Sequence, residues 1–426
     1  MSVLQDMVVR HRAGAPAGIC SVCSAHPLVV RAALEQARDT GQSALIEATC
    51  NQVNQDGGYT GLTPAGYREF VGSLAEEAGL PRERIVLGGD HLGPNPWQGL
   101  GAADAMRNAE VLVMDYVRAG FRKIHLDCSM PCADDRRPLT DEVIAERNAR
   151  LCERAEQAWH GSGSDAPMYI VGSEVPTPGG AQHALAELAV TGADEALATL
   201  EAHRSAFGRR GLQAAWERVI ALVVQPGVEF DDAHVIDYQP AMARSLIACI
   251  ETQPNLVFEA HSTDYQTPRS LAALVRDHFA ILKVGPALTF ALREAVFALD
   301  RIEQEWRGAQ RASQVRATVL GAMRRDPRYW EKHYRSTGIE LELQLAYSLS
   351  DRIRYYWPAP EVGQAMARLD ESFRAADVPP PLLSQYLPAA FEAVRRGELV
   401  PDARHLIIHH IRQVLDAYSE ACNQAG

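Results

Sequence analysis

Short apolar runs recur eight times along this chain, and most of them are followed by a polar or glycine-rich corner and then by a helical pattern. The runs are rich in β-branched residues, which is typical of buried parallel strands. They cover residues 18–24, 44–49, 84–90, 123–128, 168–173, 219–224, 256–261 and 279–284. Eight such units within about 280 residues fit a closed (β/α)8 barrel better than an open sheet. The sequence therefore predicts an α/β TIM barrel, with an open nucleotide-binding sheet as the alternative.

Helical patterns fill the spaces between the runs and then dominate the last third of the chain. The inter-strand patterns cover residues 27–40, 64–78, 102–119, 139–160 and 181–190. Beyond Leu299 there are no further strand-like runs, and helical stretches cover 301–323, 329–350, 360–375 and 405–423. The last stretch carries Ile407, Ile411 and Leu415 at helical spacing, which predicts a docking face. We therefore expect a barrel over residues 1–300 and a helical extension over 301–426 packed on it.

Net charge and the distribution of apolar residues and cysteines limit the classes of partner and the cellular location that the sequence is compatible with. The 426 residues carry a formal net charge of −12, which argues against broad binding to nucleic acid or to anionic membranes. The start of the chain lacks the apolar core of a signal peptide and no run reaches the roughly 20 residues of a membrane span, so a cytoplasmic location is expected. The eight cysteines are scattered and are expected to be free thiols.

Phosphate-binding loops of the nucleotide type are missing from the sequence. No Gly-x-Gly-x-x-Gly follows the first predicted strand, and no Gly-x-x-x-x-Gly-Lys-Ser/Thr occurs. A dinucleotide site or an ATP site of the Walker type is therefore not supported. Small anionic substrates remain compatible with the composition, because a local site can be built from arginine, lysine and backbone N–H groups.

Polar side chains follow the predicted strands, and the C-terminal strand ends of a (β/α)8 barrel are where its reacting groups lie. Each of them alone is explained by a helix cap or a turn. Together they predict one site, because burying many acids and imidazoles costs desolvation that a merely structural barrel avoids. The candidates at these ends are Glu47, Asn51, Gln52, Asn54, Asp90, His91, Asp127, Glu174, Gln225 and His261.

The mixture of imidazoles and carboxylates predicts a divalent metal site. His91, Glu174 and His261 suit a metal with an open position, most simply zinc. The neighbouring Asp90 is expected to move a proton, since successive side chains of a strand point to opposite sides and can divide the work. Asp127 is either a ligand or a residue that orients one. We count Asp127 and Glu47, together with Asp90, as the candidates for catalysis.

A sugar phosphate is the ligand that these residues suggest. Asn51, Gln52 and Asn54 suit sugar hydroxyls, and Trp97 suits the face of a sugar ring. The corner from Lys283 through Gly285 runs from a strand end into a helix N-terminus, where barrels commonly bind phosphate. We count Gln225, at the end of the sixth strand, with the substrate-binding candidates.

Six stretches together resemble the GatZ/KbaZ family, the subunits associated with class II D-tagatose-1,6-bisphosphate aldolase that are often labelled tagatose 6-phosphate kinases. They are residues 46–55, 89–94, 123–130, 172–176, 258–265 and 350–357, and the resemblance extends over nearly the whole chain. It implies a TIM barrel in tagatose, galactitol or N-acetylgalactosamine catabolism, with a catalytic aldolase subunit as partner. It also implies a role for Arg352 in substrate binding. Kinase activity is not supported, because no ATP-phosphate loop is present.

Class II aldolases also resemble this chain at Asp90-His91 and around His261. Their pattern implies that Asp90 is an acid/base and His91 a metal ligand. At the sixth strand an aldolase is expected to present another imidazole, whereas this chain has Gln225, a weaker neutral ligand. This difference is expected to weaken aldolase turnover by the chain alone.

Three hypotheses follow. In the first, the chain is a subunit that supports the activity and stability of a separate catalytic aldolase and keeps a metal and sugar-phosphate pocket. In the second, which the resemblance also implies because some relatives are reported as metal-dependent epimerases at C4 of ketohexose phosphates, it is an independent metal-dependent 4-epimerase. It would interconvert tagatose 6-phosphate and fructose 6-phosphate by retro-aldol chemistry. In the third, it is a structural barrel. A homo-oligomer is compatible with all three.

Overall fold

Eight parallel strands close into a barrel in the computed structural model, which describes residues 2–172 and 188–423. Each strand pairs with the next one along the chain, and the eighth pairs with the first. The strands are β1 (Ile19–Cys23), β2 (Ala44–Thr49), β3 (Ile85–Leu92), β4 (Lys123–Leu126), β5 (Met168–Val171), β6 (Val219–Val223), β7 (Val257–Ala260) and β8 (Ile281–Val284). Each of the eight predicted runs overlaps a strand, although β3 continues two residues beyond its run, so the (β/α)8 prediction is confirmed.

Helices surround the barrel and then continue beyond it. They are α1 (Val3–Arg12), α2 (Pro27–Thr40), α3 (Pro64–Ala78), α4 (Ala102–Arg118), α5 (Asp141–Trp159), α6 (Ala193–Arg209), α7 (Gln213–Trp216), α8 (Arg244–Glu251), α9 (Pro268–Arg276), α10 (Pro286–Arg307), α11 (Val315–Arg325), α12 (Gly338–Tyr347), α13 (Pro360–Ala375), α14 (Pro380–Tyr386), α15 (Pro388–Arg395) and α16 (Ala403–Cys422). In the described part of the chain, none of them combines the length and the apolar character needed to cross a bilayer.

Sharp sequence signals explain why some helix predictions are accurate. For α3, the Thr63 hydroxyl accepts a hydrogen bond from the Gly66 N–H and proline occupies the first helical position. Gly79 then ends the helix in the left-handed conformation. The predicted bounds of α2, α3 and α13 match the structure residue for residue.

Three helix predictions need correction or lie outside the described residues. The predicted helix over 301–323 is broken after α10 at Gly308, whose φ of 82° a glycine adopts readily. The stretch 329–350 is helical only in α12 and follows a 3₁₀ turn at Pro327–Tyr329. Of the predicted helix 181–190, residues 188–190 are not helical and the rest lies outside the described residues. The boundary predicted at residue 300 falls within α10, and the division into two parts stays a prediction.

The two ends of the barrel differ in chemistry. At the N-terminal end, α1 presents Leu4, Met7 and Val8 to an apolar cluster that includes Ile19 and Ile281. These side chains are at most 8% exposed, so this end is closed by hydrophobic packing. The C-terminal ends of the strands carry the polar groups instead, and the site is therefore confined to that face.

The extension wraps the barrel and contributes to its open end. Helix α16 packs against α2, α9 and α10 and also contacts β1. The Gly18 N–H donates to the Cys422 carbonyl at 2.9 Å, and Ala17 forms an antiparallel bridge with Asn423. A 3₁₀ turn at Arg352–Tyr355 lies at the cavity described below. Structure after α10 thus completes both the side of the barrel and its mouth.

Candidate active site

Three histidine rings meet at the C-terminal face of the barrel. His91 lies at the end of β3, His125 lies in β4, and His261 directly follows β7. Their ring centroids are 4.9 to 5.1 Å apart and all three side chains are buried. Together with Asp90 they offer ligand atoms that all lie within 4.8 Å of one another. Three imidazoles with an open fourth position form a typical catalytic zinc donor set.

A β-bulge brings Asp90 and His91 to the same site. The pairing of β3 with β4 changes register between Gly89 and Leu92, and His91 has a φ of 50°. Strand alternation predicts that the two side chains point apart, and that expectation is wrong, because a bulge re-aims side chains. The His91 Nε2 lies 3.7 Å from the Asp90 Oδ2. A non-glycine residue at positive φ is strained, and such strain concentrates at functional sites.

Gly93 allows the ends of β3 and β4 to touch. A Cβ atom built on Gly93 would lie 1.7 Å from the carbonyl oxygen of Asp127, so any other residue is sterically excluded from this backbone arrangement. The Asp127 N–H donates to the Leu92 carbonyl at 3.0 Å. The close approach places the Asp127 Oδ2 at 2.8 Å from the His91 Nδ1. In the structure Asp127 therefore orients a ring.

Each imidazole has one nitrogen held by a protein group. Asp127 holds the His91 Nδ1, and Glu259 Oε1 lies 2.9 Å from the His261 Nε2. The His125 Nδ1 lies 3.0 Å from the Asp90 Oδ1 and 3.1 Å from the backbone nitrogen of His91. Only one of these two contacts is a hydrogen bond in a given tautomer, and a proton on Nδ1 selects Asp90 as its acceptor.

The opposite nitrogens remain for a ligand. The His125 Nε2 is buried and has no hydrogen-bond partner among the described residues. A metal-bound histidine usually donates its other N–H to a carboxylate or a carbonyl, which fixes the ring and raises its basicity. All three rings have a carboxylate in that position. The residues present therefore fit a divalent cation.

Two buried lysines compensate the carboxylates beside the imidazoles. The Lys123 Nζ lies 2.7 Å from Glu47 Oε1 and 2.7 Å from Glu259 Oε2, and all three side chains are 0% exposed. The Lys283 Nζ lies 2.5 Å from Glu47 Oε2 and 2.7 Å from Asp90 Oδ1. Glu47, a candidate for catalysis in the sequence, thus binds two ammonium groups and is not among the cavity-lining residues of the described chain.

The charges favour the protonation states that metal binding needs at Asp90 and His261, but not at His91. Burial lowers the pKa of His91, yet Asp90 and Asp127 outweigh it and raise the pKa above its ordinary value, so this ring would have to lose a proton to bind a metal. Burial alone would raise the pKa of Asp90, but the charges of His91 and Lys283 hold it well below its ordinary value. Burial lowers the pKa of His261 to about 3, so this ring is neutral. Burial opposes the charge of Lys283, yet Asp90 and Glu47 raise the pKa of its ammonium well above the ordinary value. Asp90 is therefore ionised beside a charged lysine.

A cavity of about 700 Å³ opens over the cluster and contains five of the predicted substrate-binding residues in its wall. They are Asn51, Gln52, Lys283, Gly285 and Arg352. The wall also includes Asp90, His91 and His261, together with the aromatic side chains of Tyr59 and Tyr355. All eight cysteines are free, and Cys23 lines the cavity with its Sγ 3.4 Å from Asp90 Oδ2. The cavity is large enough for a drug-sized or sugar-sized ligand.

Three other predicted substrate-binding residues serve the loops around the cavity. Asn54 Oδ1 accepts hydrogen bonds from the backbone of Asp56 and Gly58. Gln225 Oε1 accepts from two backbone N–H groups of its own turn, at 2.8 and 3.0 Å. Trp97 packs against the hydrophobic core from a 3₁₀ turn. Of the described residues that line the cavity, none is one of these three.

The corner at Gly285 is already occupied by a carboxylate. Asp264 Oδ1 accepts hydrogen bonds from the backbone N–H groups of Gly285 at 3.0 Å and Ala287 at 2.8 Å, at the start of α10. Burial raises the pKa of Asp264 to about 6, against the effect of these donors. A phosphate at this helix N-terminus would have to displace Asp264, so the two donors are not free for it.

Sequence reasoning missed His125 as a ligand candidate, and Lys123 and Glu259 as part of the site. A signal for them exists, because Lys123 and His125 are two residues apart in one strand, as are Glu259 and His261. Residues at this spacing share a face of a strand. Glu174, the predicted carboxylate ligand, lies outside the described residues, so its role stays a prediction.

The chain is similar to a known protein family and to solved structures. Residues 4–423 match the family described as D-tagatose-1,6-bisphosphate aldolase subunit GatZ/KbaZ-like. A crystal structure of a probable tagatose 6 phosphate kinase from Sinorhizobium meliloti 1021 is 46% identical, covers 95% of this chain and 100% of its own, and superposes with a TM-score of 0.88. A fructose-bisphosphate aldolase from Campylobacter jejuni is 13% identical, with 87% and 93% of the two chains covered and a TM-score of 0.45.

Proposed function

The chain belongs to the D-tagatose-1,6-bisphosphate aldolase subunit GatZ/KbaZ-like family, and on that premise we propose that it is a metal-dependent enzyme that epimerises a ketohexose phosphate at C4. The observation that carries this proposal is the triangle of His91, His125 and His261, in which each ring has one nitrogen held by a carboxylate. A chain with only a supporting role would gain no stability from burying three such rings. The substrates we propose are tagatose 6-phosphate and fructose 6-phosphate.

The metal-donor set of this chain includes a third imidazole although the sixth strand does not supply one. Gln225 stands where an aldolase is expected to present an imidazole, and its side chain is used in its own turn. His125 on β4 provides a third imidazole in the cluster instead. The number of nitrogen donors is therefore preserved although the strand that supplies one of them has changed. We propose that this set is sufficient for catalysis by the chain alone.

The proposed reaction uses Asp90 as the group that moves the proton. When bound by the three histidines, a divalent metal, most simply zinc, would supply Lewis-acid polarisation of the ketose carbonyl. Asp90 accepts the proton of the C4 hydroxyl, the C3–C4 bond breaks, and an aldehyde and a three-carbon nucleophile remain in the cavity. Bond formation on the opposite face of the aldehyde inverts C4, and Asp90 returns the proton. Asp127 and Glu259 orient the rings throughout.

Turnover by the isolated chain tests this proposal. We expect the purified zinc-loaded protein to convert fructose 6-phosphate into tagatose 6-phosphate, followed by carbon NMR. Asp90→Asn keeps the size of the side chain and is expected to lower kcat by about 10²- to 10⁴-fold, the range for loss of a general base. His410→Ala removes a partly exposed imidazole of α16 that does not line the cavity of the described chain, so this variant is the control and should keep full activity. Metal-loaded protein without any conversion would contradict the proposal.

A second candidate is the subunit role, and a surface of α12 favours it. Ile339, Leu343 and Tyr347 are spaced four residues apart on this helix and are 73%, 52% and 47% exposed. Such a stripe of large apolar side chains is typical of an interaction site. We propose that a catalytic tagatose-bisphosphate aldolase subunit would dock there in the cytoplasm, in tagatose, galactitol or N-acetylgalactosamine catabolism.

The two roles differ in what they predict for tagatose 1,6-bisphosphate. In the subunit role the isolated chain does not cleave this substrate, but it raises the activity and thermal stability of a separate catalytic subunit. Leu343→Glu should abolish that effect and co-elution in size-exclusion chromatography, whereas Glu342→Gln on the same helix should not. Rapid cleavage to triose phosphates by the chain alone would exclude the subunit role as its main function.

A further inference from the structure

We propose that the C-terminal extension supplies the binding site for the phosphate group of the substrate, formed by Arg352, Arg354 and His333. This inference rests on the proposed function, in which the substrate is a sugar phosphate. All three residues line the same cavity as Asp90 and His91, and all three follow α10 in the chain. The barrel strands would then hold the reacting carbons while the extension holds the charged end of the ligand.

The two arginines carry charge into the cavity wall without a carboxylate partner. Among the residues that the structure describes, no carboxylate oxygen lies within 4.0 Å of either guanidinium group. Arg352 is only 6% exposed, its Nη2 lies 2.9 Å from His333 Nδ1, and its buried Nε has no hydrogen-bond partner in the described chain. Arginine is rarely buried unless it is paired. An anionic ligand is the partner that this arrangement lacks.

Arg354 is fixed in place by neutral groups. Its Nη1 donates to the backbone carbonyls of Ser350 and Asp351, and its Nη2 donates to the hydroxyl of Tyr355 at 3.2 Å. The rings of Tyr355 and Tyr59 are in edge contact with centroids 4.8 Å apart, which ties the turn to the loop after β2. The guanidinium is therefore positioned before any ligand arrives, and this lowers the entropy cost of binding.

The acids of this region are already engaged. Asp264 accepts the two N–H groups at the start of α10, and Asp351 Oδ2 accepts the hydroxyl of Thr289 at 2.5 Å. Neither of them forms an ion pair with Arg352 or Arg354 in the described structure. Their hydrogen bonds hold the carboxylates in place, so the two guanidinium charges remain available to a ligand.

His333 completes a set that consists only of donors. Because a guanidinium can only donate, the hydrogen bond from Arg352 makes His333 Nδ1 the acceptor and places the ring proton on Nε2. Burial and the charges of Arg352 and Arg354 lower the pKa of His333 to about 4, so the ring is neutral near pH 7. Two guanidinium groups and an N–H donor match a dianionic phosphate monoester better than a single carboxylate, since guanidinium binds phosphate oxygens in a bidentate manner.

Calorimetry with inorganic phosphate tests the site without any turnover. We expect Arg352→Gln to weaken the binding of phosphate to the full chain by at least about tenfold, the effect of losing one charge-assisted contact. Arg335→Gln removes the same charge from an exposed position of the extension and should leave the Kd unchanged. Acetate, as a monoanionic carboxylate, should bind far more weakly than phosphate. Equal phosphate affinity in wild type and Arg352→Gln, or equal affinity for acetate, would overturn the proposal.

Two further measurements separate this proposal from the proposed function. Arg352→Lys keeps the charge and the aliphatic packing, so it should fold like wild type and give an intermediate Kd for phosphate. If the epimerase proposal holds, Arg352→Lys should raise KM for fructose 6-phosphate more than it raises KM for fructose, which has no phosphate group to bind. If no sugar is turned over, the epimerase proposal fails while the phosphate titration still decides on the site. A Kd in Arg352→Lys equal to that of wild type would count against bidentate binding.

Discussion

Gly93 offers a direct test of how the site is assembled, because its replacement by alanine adds one methyl group at a defined place. The new Cβ would lie 1.7 Å from the Asp127 carbonyl oxygen, whereas real Cβ contacts are essentially never below 3.0 Å. The ends of β3 and β4 must therefore separate by about 1.3 Å. The obstacle is a backbone oxygen, which cannot rotate away as a side chain can.

The expected magnitude follows from two opposing effects. Overpacking of this kind costs about 1 to 3 kcal/mol, and an immobile obstacle places Gly93→Ala at the upper end. Replacing glycine also reduces the entropy of the unfolded chain, which offsets about 0.4 to 1 kcal/mol. We expect a net loss of about 2 kcal/mol in the free energy of unfolding. Since the shift moves Asp127 relative to His91, zinc affinity should fall by about 10- to 100-fold.

Urea unfolding and zinc titration of two variants provide the assay. Gly99→Ala is the matched control, because it lies in the same loop and its Cβ would have nothing within 4 Å. This control should unfold like wild type or be slightly more stable. If Gly93→Ala has the stability and the zinc affinity of Gly99→Ala, the contact between the strand ends does not position His91 and the reasoning is refuted.

Three other outcomes are expected. His125→Ala should lower zinc affinity by at least about 100-fold in a chelator competition while His410→Ala does not, and equal affinities would remove His125 from the site. Lys123→Met should cost about 3 to 5 kcal/mol in urea unfolding, because it leaves two buried carboxylates with less compensation; a loss below about 1 kcal/mol would contradict this. Burial raises the pKa of Glu229 from 4.5 to about 7, so the folded state holds a proton that the unfolded chain has already lost, and stability should fall as pH rises through this window. Glu229→Gln should flatten that slope between about pH 4.5 and about pH 7, and an unchanged slope would assign it to other groups.

The strands and many helix ends could be predicted because their causes are local. A buried parallel strand reads as an apolar run, and Thr63, Pro64 and Gly79 mark the two ends of α3 within their own sequence. The polar strand ends were also visible, since the barrel topology alone places them on one face. This is why the sequence alone predicts that Asp90, His91 and His261 lie on one face of the barrel.

The remaining features depend on contacts between distant segments. The bulge in β3 depends on its pairing with β4, and it reverses the direction that alternation predicts for His91. The ion pairs of Lys123 and Lys283 with Glu47 and Glu259 depend on which strands face one another across the barrel interior. The backbone N–H of Gly285 donates to Asp264, which comes from the preceding loop. Arg352 reaches the cavity only because the extension folds back over the barrel. No pattern within one segment contains this information.

The bridge between Ala17 and Asn423 has a consequence for how the chain is made. Helix α16 is synthesised after all eight strands, yet it covers β1 and rests against α2, which leave the ribosome before it. These early segments must wait with apolar surface uncovered until the last helix arrives, and such waiting intermediates are prone to aggregate. Shortening the gene after α10 would therefore leave the nascent barrel permanently in that unprotected state. We therefore expect docking of the extension to complete the folding of the barrel, in addition to its contribution to the cavity wall.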